Sequence, residues 1–245
     1  MRDNKDFIVI IPARLKSSRL PNKLLIKIGN KTVLKRVWLR CRSAVEQNKI
    51  YVATGDKRIL EYCKINNIQT IFTNKNCLTG TDRVIEVAKK IKAKFYINVQ
   101  GDEIFVRPNS ILKVMRFCKF LKNKYVVNAF AKIKNEKDFK SSSVPKVLFD
   151  NNKNLLFITR APSPTNKNFQ FIKAYKQVCI YAYPRKLILS LRKNKKTHLE
   201  NIEDIEILRF LENEIKIKMI EVSGSELAID RAVDVFRAKK ILKLN

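Results

Sequence analysis

The chain has 245 residues, of which 45% are hydrophobic, 5 are Gly and 7 are Pro, and this composition excludes a disordered tail and a low-complexity polymer. Its 52 Lys and Arg residues against 22 Asp and Glu residues give a formal net charge of +30. Such a charge attracts polyanions, but the lysines are spread along nearly the whole chain, which disfavours nucleic acid as a partner. A positive field would equally attract a small, highly anionic substrate.

Hydropathy and cysteine content help to predict the cellular compartment of the protein. No apolar run approaches the roughly 20 residues that a membrane-spanning helix needs, and the N-terminal residues lack the pattern of a signal peptide. The 5 cysteines form an odd set without close pairs, which argues against a disulfide framework and a zinc knuckle. We therefore expect a cytoplasmic protein with no membrane partner.

The first half of the chain alternates predicted strands with predicted helices. A buried, β-branched run at 7–11 stops at Pro12, and Thr32 is placed to cap a helix with one apolar face. Further strands are predicted at 50–54, 70–72 and 95–99, and further helices at 58–66, after Thr81 and after Pro108. This alternation predicts an α/β fold with a mostly parallel central sheet and helices on both faces. Ligands of such sheets bind at the carboxyl ends of the strands.

The pattern changes after about residue 126. Segments 144–149 and 155–158 flank a turn-forming stretch and predict a hairpin. A strand at 177–183, a helix at 201–213, a strand at 216–222 and a helix at 231–242 follow. We interpret residues 1–245 as a single domain in which about 126–200 form an inserted cap that completes a cleft.

The loop after the first predicted strand carries most of the cationic side chains expected at the ligand edge. It reads IIPARLKSSRLPNK over residues 10–23 and places Arg14, Lys16, Arg19 and Lys23 around Ser17 and Ser18. Cations and hydroxyls at the ligand edge of a sheet could hold a polyphosphate, although the loop lacks the glycine spacing of a Walker or dinucleotide motif. A solvated basic loop is the alternative.

Two acidic segments accompany this loop. Gln100-Gly101-Asp102-Glu103 follows a predicted strand, so its carboxylates emerge at the same edge, where Mg²⁺ typically binds one or two carboxylates together with substrate oxygens. An ordinary turn is the alternative. Segment 223–230, SGSELAID, ends in Asp230. That side chain is either the N-cap of the last helix or a second metal ligand opposite Asp102, and the spacing leaves both open.

These segments together resemble one family. The loop at 10–23, VAT at 52–54, LTGTDR at 78–83, NVQGDE at 98–103 and the segment ending at Asp230 resemble, in this order, the 3-deoxy-manno-octulosonate (Kdo) cytidylyltransferases. The resemblance implies a nucleotide-diphospho-sugar transferase-like fold whose cap also serves dimerisation. It implies CTP and an acidic sugar as substrates, Mg²⁺ as cofactor, a homodimer, and a CMP-sugar product for bacterial envelope polysaccharide such as lipopolysaccharide.

The resemblance also implies roles, position by position. Arg14, Arg19 and Lys23 would hold the CTP phosphates, and Asp102 and Asp230 would bind the metal. Arg14, Lys23 and the two aspartates would form the catalytic set. The residues that would border the nucleotide are Pro12, Ala13, Ala53, Thr54, Thr81 and Arg83. The residues that would face the sugar are Gln100, Arg160, Gln177 and Glu206.

Four positions depart from the family pattern. Asn22 replaces a Gly, and Gly55 replaces an Asp. Gln177 replaces a His, and Ile207 replaces a Gln, both in regions that the family associates with the sugar. The acceptor is therefore expected to be Kdo or a close variant, with a nonulosonic acid of sialic type as the alternative. A basic nucleic-acid-binding protein on the same scaffold is the less favoured hypothesis.

Overall fold

A computed structural model describes residues 5–17, 19–191, 195–223 and 228–244. Ser18 of the first loop and residues 224–227 of the last acidic segment lie outside the described residues. The strands are β1 (Lys5–Ala13), β2 (Lys27–Ile28), β3 (Lys31–Thr32), β4 (Ile50–Thr54), β5 (Thr70–Phe72), β6 (Ala93–Val99), β7 (Val126–Lys132), β8 (Lys146–Phe149), β9 (Leu155–Thr159), β10 (Tyr175–Pro184) and β11 (Ile217–Glu221). The helices are α1 (Val33–Arg42), α2 (Lys57–Ile65), α3 (Gly80–Lys90), α4 (Pro108–Phe120), α5 (Glu136–Lys140), α6 (Arg185–Ser190), α7 (His198–Glu203), α8 (Leu208–Leu211) and α9 (Ala232–Ile241).

The main sheet has the strand order β11-β7-β10-β6-β1-β4-β5, and the β8–β9 hairpin attaches to β10. Strand β1 is parallel to β4 and β6, and β11 is parallel to β7. Only β10 along this order runs antiparallel to its neighbours, β6 and β7. The carboxyl ends of β1, β4, β6, β7 and β11 therefore lie at one edge, and the predicted mostly parallel sheet is confirmed.

Helices cover both faces of this sheet, as predicted. On one face Val9 and Ile11 of β1 belong to the core that contains α1, and on the other Ile8 and Ile10 pack with α3. The predicted cap of α1 is also confirmed, since the Thr32 hydroxyl accepts a hydrogen bond from the Lys35 amide at 3.1 Å. The predicted inward side chains of α1, Val33, Leu34, Val37, Trp38 and Cys41, are all buried.

Two helix predictions need correction. The single helix predicted at 201–213 is wrong, because the chain forms α7 and α8 with Asp204 between them in the left-handed region (φ 49°). Helix α3 begins before Thr81, because Thr79 and Asp82 form a capping box at its start.

The segment after residue 126 contributes β7 and β10 to the middle of the sheet, and the β8–β9 hairpin lies beside it. Its role as a cap and dimerisation region stays a prediction. Across the part of the chain that the structure covers, none of the helices combines the length and apolarity needed to span a membrane.

Candidate active site

Four loop segments meet at the carboxyl edge of the sheet. The first loop follows β1, residues 78–81 enter α3, residues 100–103 follow β6, and residues 228–230 precede α9. A Cβ at Gly101 would lie 2.8 Å from the Pro12 carbonyl oxygen, so only glycine lets the loop after β6 pack this closely on β1. The Ile229 amide donates to the Asp102 carbonyl at 3.1 Å, which brings Asp230 beside Asp102.

An ionic cluster lies at this junction. Lys23 Nζ is 2.5 Å from Asp102 Oδ2 and 3.2 Å from Asp230 Oδ1, and Arg19 Nη1 is 2.7 Å from Asp230 Oδ2. The side chains of Lys23, Asp102 and Asp230 are only 16%, 23% and 25% exposed. Burial opposes the charged form of Lys23, but the two carboxylates outweigh this effect and raise its pKa above the ordinary value. Two carboxylates thus share one cation.

The start of α9 excludes one of the two interpretations of Asp230, and its role as a metal ligand stays a prediction. The N-cap position of α9 belongs to Arg231, and the backbone amides of Asp230 and Arg231 donate to Asp234 Oδ2 at 3.1 and 2.8 Å. Asp230 is therefore not the helix cap, and its carboxylate faces Lys23 and Arg19.

The donor set fits Mg²⁺. Asp102 and Asp230 converge on a single cation position, which matches the one or two carboxylates that Mg²⁺ usually takes from a protein. Within the described ranges, no group of three or more His, Cys, Asp and Glu side chains is placed to hold a metal ion. Substrate oxygens and water would therefore complete the coordination of a magnesium ion here.

The predicted nucleotide side is built on β1, β4 and the start of α3. Arg14 is exposed, and its Nη1 donates to the Leu78 carbonyl at 3.1 Å. Residues Pro12, Ala13, Ala53 and Thr54 are buried at the ends of β1 and β4. Arg83 is only 4% exposed, and its guanidinium donates to Thr73 Oγ1 at 2.7 Å, so it is engaged within the wall rather than in the open site.

One departure from the family pattern has a steric reason. A Cβ at Gly55 would lie 2.8 Å from the Thr73 carbonyl oxygen and 2.8 Å from the Lys75 amide nitrogen. The backbone at 73–75 therefore packs directly on Gly55, and an Asp could not occupy this position without moving that segment.

On the predicted sugar side, Glu206 binds the first turn of α3, next to its Thr79–Asp82 capping box. Its carboxylate accepts hydrogen bonds from the Gly80 amide (3.0 Å), the Thr81 amide (2.6 Å) and the Thr81 hydroxyl (2.6 Å). A Cβ at Gly80 would lie 3.2 Å from Gln100 Nε2 and 3.3 Å from Pro12 Cβ, so Gln100 is adjacent to the capped helix start. The structure thus brings Thr81, Gln100 and Glu206 together.

Arg160 and Gln177 are held by other partners. Arg160 donates to the carbonyls of Glu203 (2.6 Å), Asp204 (3.1 Å) and Ser142 (2.8 Å), so backbone oxygens engage its guanidinium. Gln177 Nε2 donates to Asn128 Oδ1 of β7 at 3.0 Å. These hydrogen bonds do not connect either side chain to the ionic cluster, and the roles of both toward a sugar stay predictions.

Ile207 needs a correction. The family resemblance predicts a position on the sugar side, but the Ile207 side chain is fully buried in the core, in the same cluster as Tyr183 and Phe210. Its loss of an amide therefore does not remove a donor or acceptor from the open site of this protein.

Sequence reasoning missed a buried charged group behind the site. Arg209, Asp82 and Glu200 are 1%, 0% and 0% exposed, and Arg209 forms an ion pair with each of the two carboxylates. The signal for Asp82 was readable as a Thr-x-x-Asp capping box at 79–82. No local pattern indicated that Arg209 is its partner, because the two residues are 127 positions apart.

Comparisons with known proteins agree with this arrangement. The chain matches the cytidylyltransferase family model over residues 8–217. It is 33% identical over 249 residues to the 3-deoxy-manno-octulosonate cytidylyltransferase of Trichlorobacter lovleyi, covering 96% of this chain and 98% of the relative. It is 31% identical over 239 residues to the 8-amino-3,8-dideoxy-manno-octulosonate cytidylyltransferase of Shewanella sp. strain W3-18-1, covering 96% and 98%.

A solved structure extends the comparison to three dimensions. The CMP:2-keto-3-deoxy-manno-octonic acid synthetase complexed with CTP matches with a TM-score of 0.88 at 28% identity, covering 98% of this chain and 99% of that one. The family resemblance and the sugar-nucleotidyltransferase fold predicted from the sequence are both confirmed. The chain therefore belongs to the cytidylyltransferase family and, within it, to the 3-deoxy-manno-octulosonate cytidylyltransferases.

Proposed function

We propose that this protein transfers the cytidylyl group of CTP to Kdo or a close variant of it, in a Mg²⁺-dependent reaction that releases pyrophosphate. The observation that carries the proposal is the placement of Asp102 and Asp230 around one cationic position beside Arg19, at the carboxyl edge of the sheet. Such a group suits a metal-bound triphosphate, because phosphoryl-type transfer requires mainly positioning and charge neutralisation.

In this reaction the anomeric oxygen of the sugar bonds to the α-phosphorus of CTP, and the bond between the α-phosphorus and the bridging oxygen breaks. Mg²⁺, held by Asp102 and Asp230, would supply neutralising charge to the phosphate oxygens. The two carboxylates outweigh the effect of burial and raise the pKa of Lys23 above its ordinary value, so this side chain would present a full positive charge to the triphosphate. Arg14 and Arg19 are both exposed and would bind the outer phosphates.

The acceptor follows from the family rather than from the basic surface. Relatives that cover nearly the whole chain are named for octulosonates, and one of them for an 8-amino derivative, which favours Kdo or such a variant over a sialic-type nonulosonate. Gln177, in place of the family His, retains a side chain that can donate and accept hydrogen bonds. We therefore propose an octulosonate acceptor with Gln100, Gln177 and Glu206 on its side of the site.

The same proposal includes the oligomeric state of the protein and its place in the cell. We infer a cytoplasmic homodimer that serves the synthesis of envelope lipopolysaccharide. Three large apolar side chains of the 126–200 segment, Leu156, Phe169 and Ile172, are 62%, 85% and 70% exposed, which supports an interface in this segment. Light scattering on the purified protein tests the dimer, and an Asp substitution at Phe169 should shift it toward the monomer.

Pyrophosphate release tests the reaction. The protein is incubated with CTP, MgCl₂ and either Kdo, 8-amino-Kdo or a sialic acid, and the acceptors are ranked by kcat/KM. We expect turnover with an octulosonate and loss of turnover when EDTA removes the metal. Absence of pyrophosphate with every octulosonate, from a protein with a cooperative thermal transition, contradicts the proposal.

Matched carboxylate variants test the metal site. Asp102→Asn and Asp230→Asn each remove one negative charge without changing side-chain shape, and we expect turnover to fall on the order of 10²- to 10³-fold, by analogy with the loss of one stabilising group in other active sites. Asp6→Asn is the control, because Asp6 forms an exposed ion pair with Lys94 on β6 at 2.7 Å. Activity of Asp102→Asn equal to that of Asp6→Asn would remove Asp102 from the metal site.

A further inference from the structure

Arg209 has the largest fully buried side chain among the described residues, and it belongs to α8, three positions after Glu206. Its Nε and Nη2 donate to the two carboxylate oxygens of Glu200, each at 2.7 Å, and its Nη1 donates to Asp82 Oδ1 at 2.7 Å. A further bond from Nη2 reaches Thr79 Oγ1 at 3.3 Å. We call Asp82, Glu200 and Arg209 the buried triad.

The buried triad holds two helix starts. Asp82 Oδ2 accepts hydrogen bonds from the amides of Leu78 and Thr79 at 3.1 and 3.0 Å, so it fixes the backbone that enters α3. Glu200 Oε2 accepts from the Thr197 amide at 3.2 Å and fixes the start of α7. Arg209 therefore ties the entry of α3 to the segment that carries Glu206.

Stability alone does not account for such a group. The attraction within a buried ion pair is largely offset by the cost of desolvating its charges, and apolar side chains of similar volume often stabilise a core as well. A fork of charge-assisted hydrogen bonds does confer orientation, because arginine engages a carboxylate through two parallel bonds in one plane. Burial opposes the charge of Arg209, but Glu200 and Asp82 outweigh this and raise its pKa, so it stays protonated.

The backbone that the triad holds is where the two sides of the active site meet. The Leu78 carbonyl accepts from Arg14 of the first loop at 3.1 Å. The Gly80 and Thr81 amides donate to Glu206. Residues 78–81 thus contact the predicted phosphate side and the predicted sugar side at once, and the guanidinium of Arg209 lies directly behind them.

We propose that Arg209 is a positioning residue for the transfer step: through Asp82 and Glu200 it holds residues 78–81 and Glu206 in one fixed relation, which aligns the nucleotide and the acceptor. The inference rests on the proposed function. Arg209 does not touch substrate, because it is only 1% exposed. Its effect is on the alignment of the two reactants, so it acts on kcat more than on the binding of CTP.

Arg209→Lys tests this, with Arg185→Lys as the control. Arg209→Lys keeps the positive charge but removes the planar guanidinium that binds two carboxylates at once. Arg185 donates to Tyr96 Oη at 2.6 Å and to the Ala88 carbonyl, and so contacts α3 near its opposite end. We expect kcat of Arg209→Lys to fall about 10- to 100-fold, because a misplacement of about 1 Å costs that much in rate, with KM for CTP changed less than about threefold. For Arg185→Lys, we expect kcat and the KM for CTP each to stay within threefold of the wild-type value.

Asp82→Asn is the second variant, and it serves where Arg209→Lys does not fold. It keeps Oδ1 as an acceptor for Arg209 but replaces Oδ2, the acceptor for the Leu78 and Thr79 amides, with a donor group. We expect kcat to fall as much as in Arg209→Lys. Hydrogen exchange in a peptide covering residues 78–81 should be faster than in the wild-type protein. A folded Arg209→Lys or Asp82→Asn protein whose kcat matches that of Arg185→Lys overturns the inference.

Hydrogen exchange also separates this inference from the proposed function. If the wild-type protein releases no pyrophosphate with any acceptor, the proposed function fails, and the exchange of residues 78–81 still decides the role of Arg209. Faster exchange there in Arg209→Lys than in Arg185→Lys supports the positioning role. Equal exchange in the two variants contradicts it.

Discussion

Lys23 lies in the active site and is also expected to stabilise the fold. The substitution Lys23→Met tests how much its charge contributes to the free energy of unfolding. The substitution removes the ammonium that lies 2.5 Å from Asp102 and 3.2 Å from Asp230 while keeping a side chain of similar length. The two carboxylates then face each other without a shared cation. Their mutual repulsion should destabilise the folded state.

The magnitude follows from the distances and the burial. A pair of unit charges about 3 Å apart at an effective dielectric constant of about 20 attracts by roughly 5 kcal/mol. Desolvation of the three groups and their remaining exposure offset most of this, so we expect a net loss of about 1 to 3 kcal/mol in the free energy of unfolding at pH 8. Turnover should be lost as well, since Lys23 is proposed to act on the triphosphate.

The pH dependence supplies a sharper readout. The folded protein raises the pKa of Lys23 above its ordinary value of 10.5, so the contribution of Lys23 to stability is fully present below that pH. It is lost as the pH rises through the higher pKa of the folded state. The stability difference between wild type and Lys23→Met should therefore be constant from pH 7 to about 10 and shrink above it.

Urea denaturation followed by circular dichroism at pH 7, 8, 9, 10 and 11 measures this difference. Lys94→Met is the control, because its ion pair with Asp6 is exposed and contributes little. Equal unfolding free energies for wild type and Lys23→Met at pH 8 would refute the argument that the two aspartates depend on this cation.

Three further changes separate packing, capping and ligand binding. Gly101→Ala places a Cβ 2.8 Å from the Pro12 carbonyl oxygen, so we expect a loss of about 1 to 3 kcal/mol in urea denaturation and reduced turnover, since Asp102 must move. Thr32→Ala removes the cap of α1 and should cost about 1 kcal/mol with kcat unchanged. Arg19→Met breaks a half-exposed ion pair with Asp230, so the unfolding free energy should change by less than about 1 kcal/mol. Its KM for CTP should rise several-fold, and an unchanged KM would exclude Arg19 from the phosphate site.

The order of the elements could be predicted because its signals are local. The β-branched run that forms β1, the Thr32 cap and the spacing of apolar residues along α1 all act within a few positions of the chain. The helix predicted at 201–213 failed for the same reason. Asp204 adopts a left-handed conformation that no local pattern announces, and α7 and α8 are each too short for an apolar period to define.

The motif resemblance predicted which residues belong to the site, but it did not predict where their side chains point. It identified Asp102, Asp230 and Lys23 as one set, and the structure brings these side chains into contact. It also placed Ile207 on the sugar side, whereas the side chain points into the core. The direction of a side chain on a four-residue helix depends on how the preceding turn packs, so alignment of a motif does not define it.

Residue types and their spacing along the chain were therefore enough to specify the class of fold, the family and the acidic and basic segments of the site. Folding alone established that Lys23 and Asp230, 207 positions apart, share a hydrogen bond, and that Asp230 faces a lysine rather than capping α9. It also enclosed Arg209 between Asp82 and Glu200. Contacts of this kind depend on which strands pair and how closely loops approach at the sheet edge, and those distances arise only when the whole core packs.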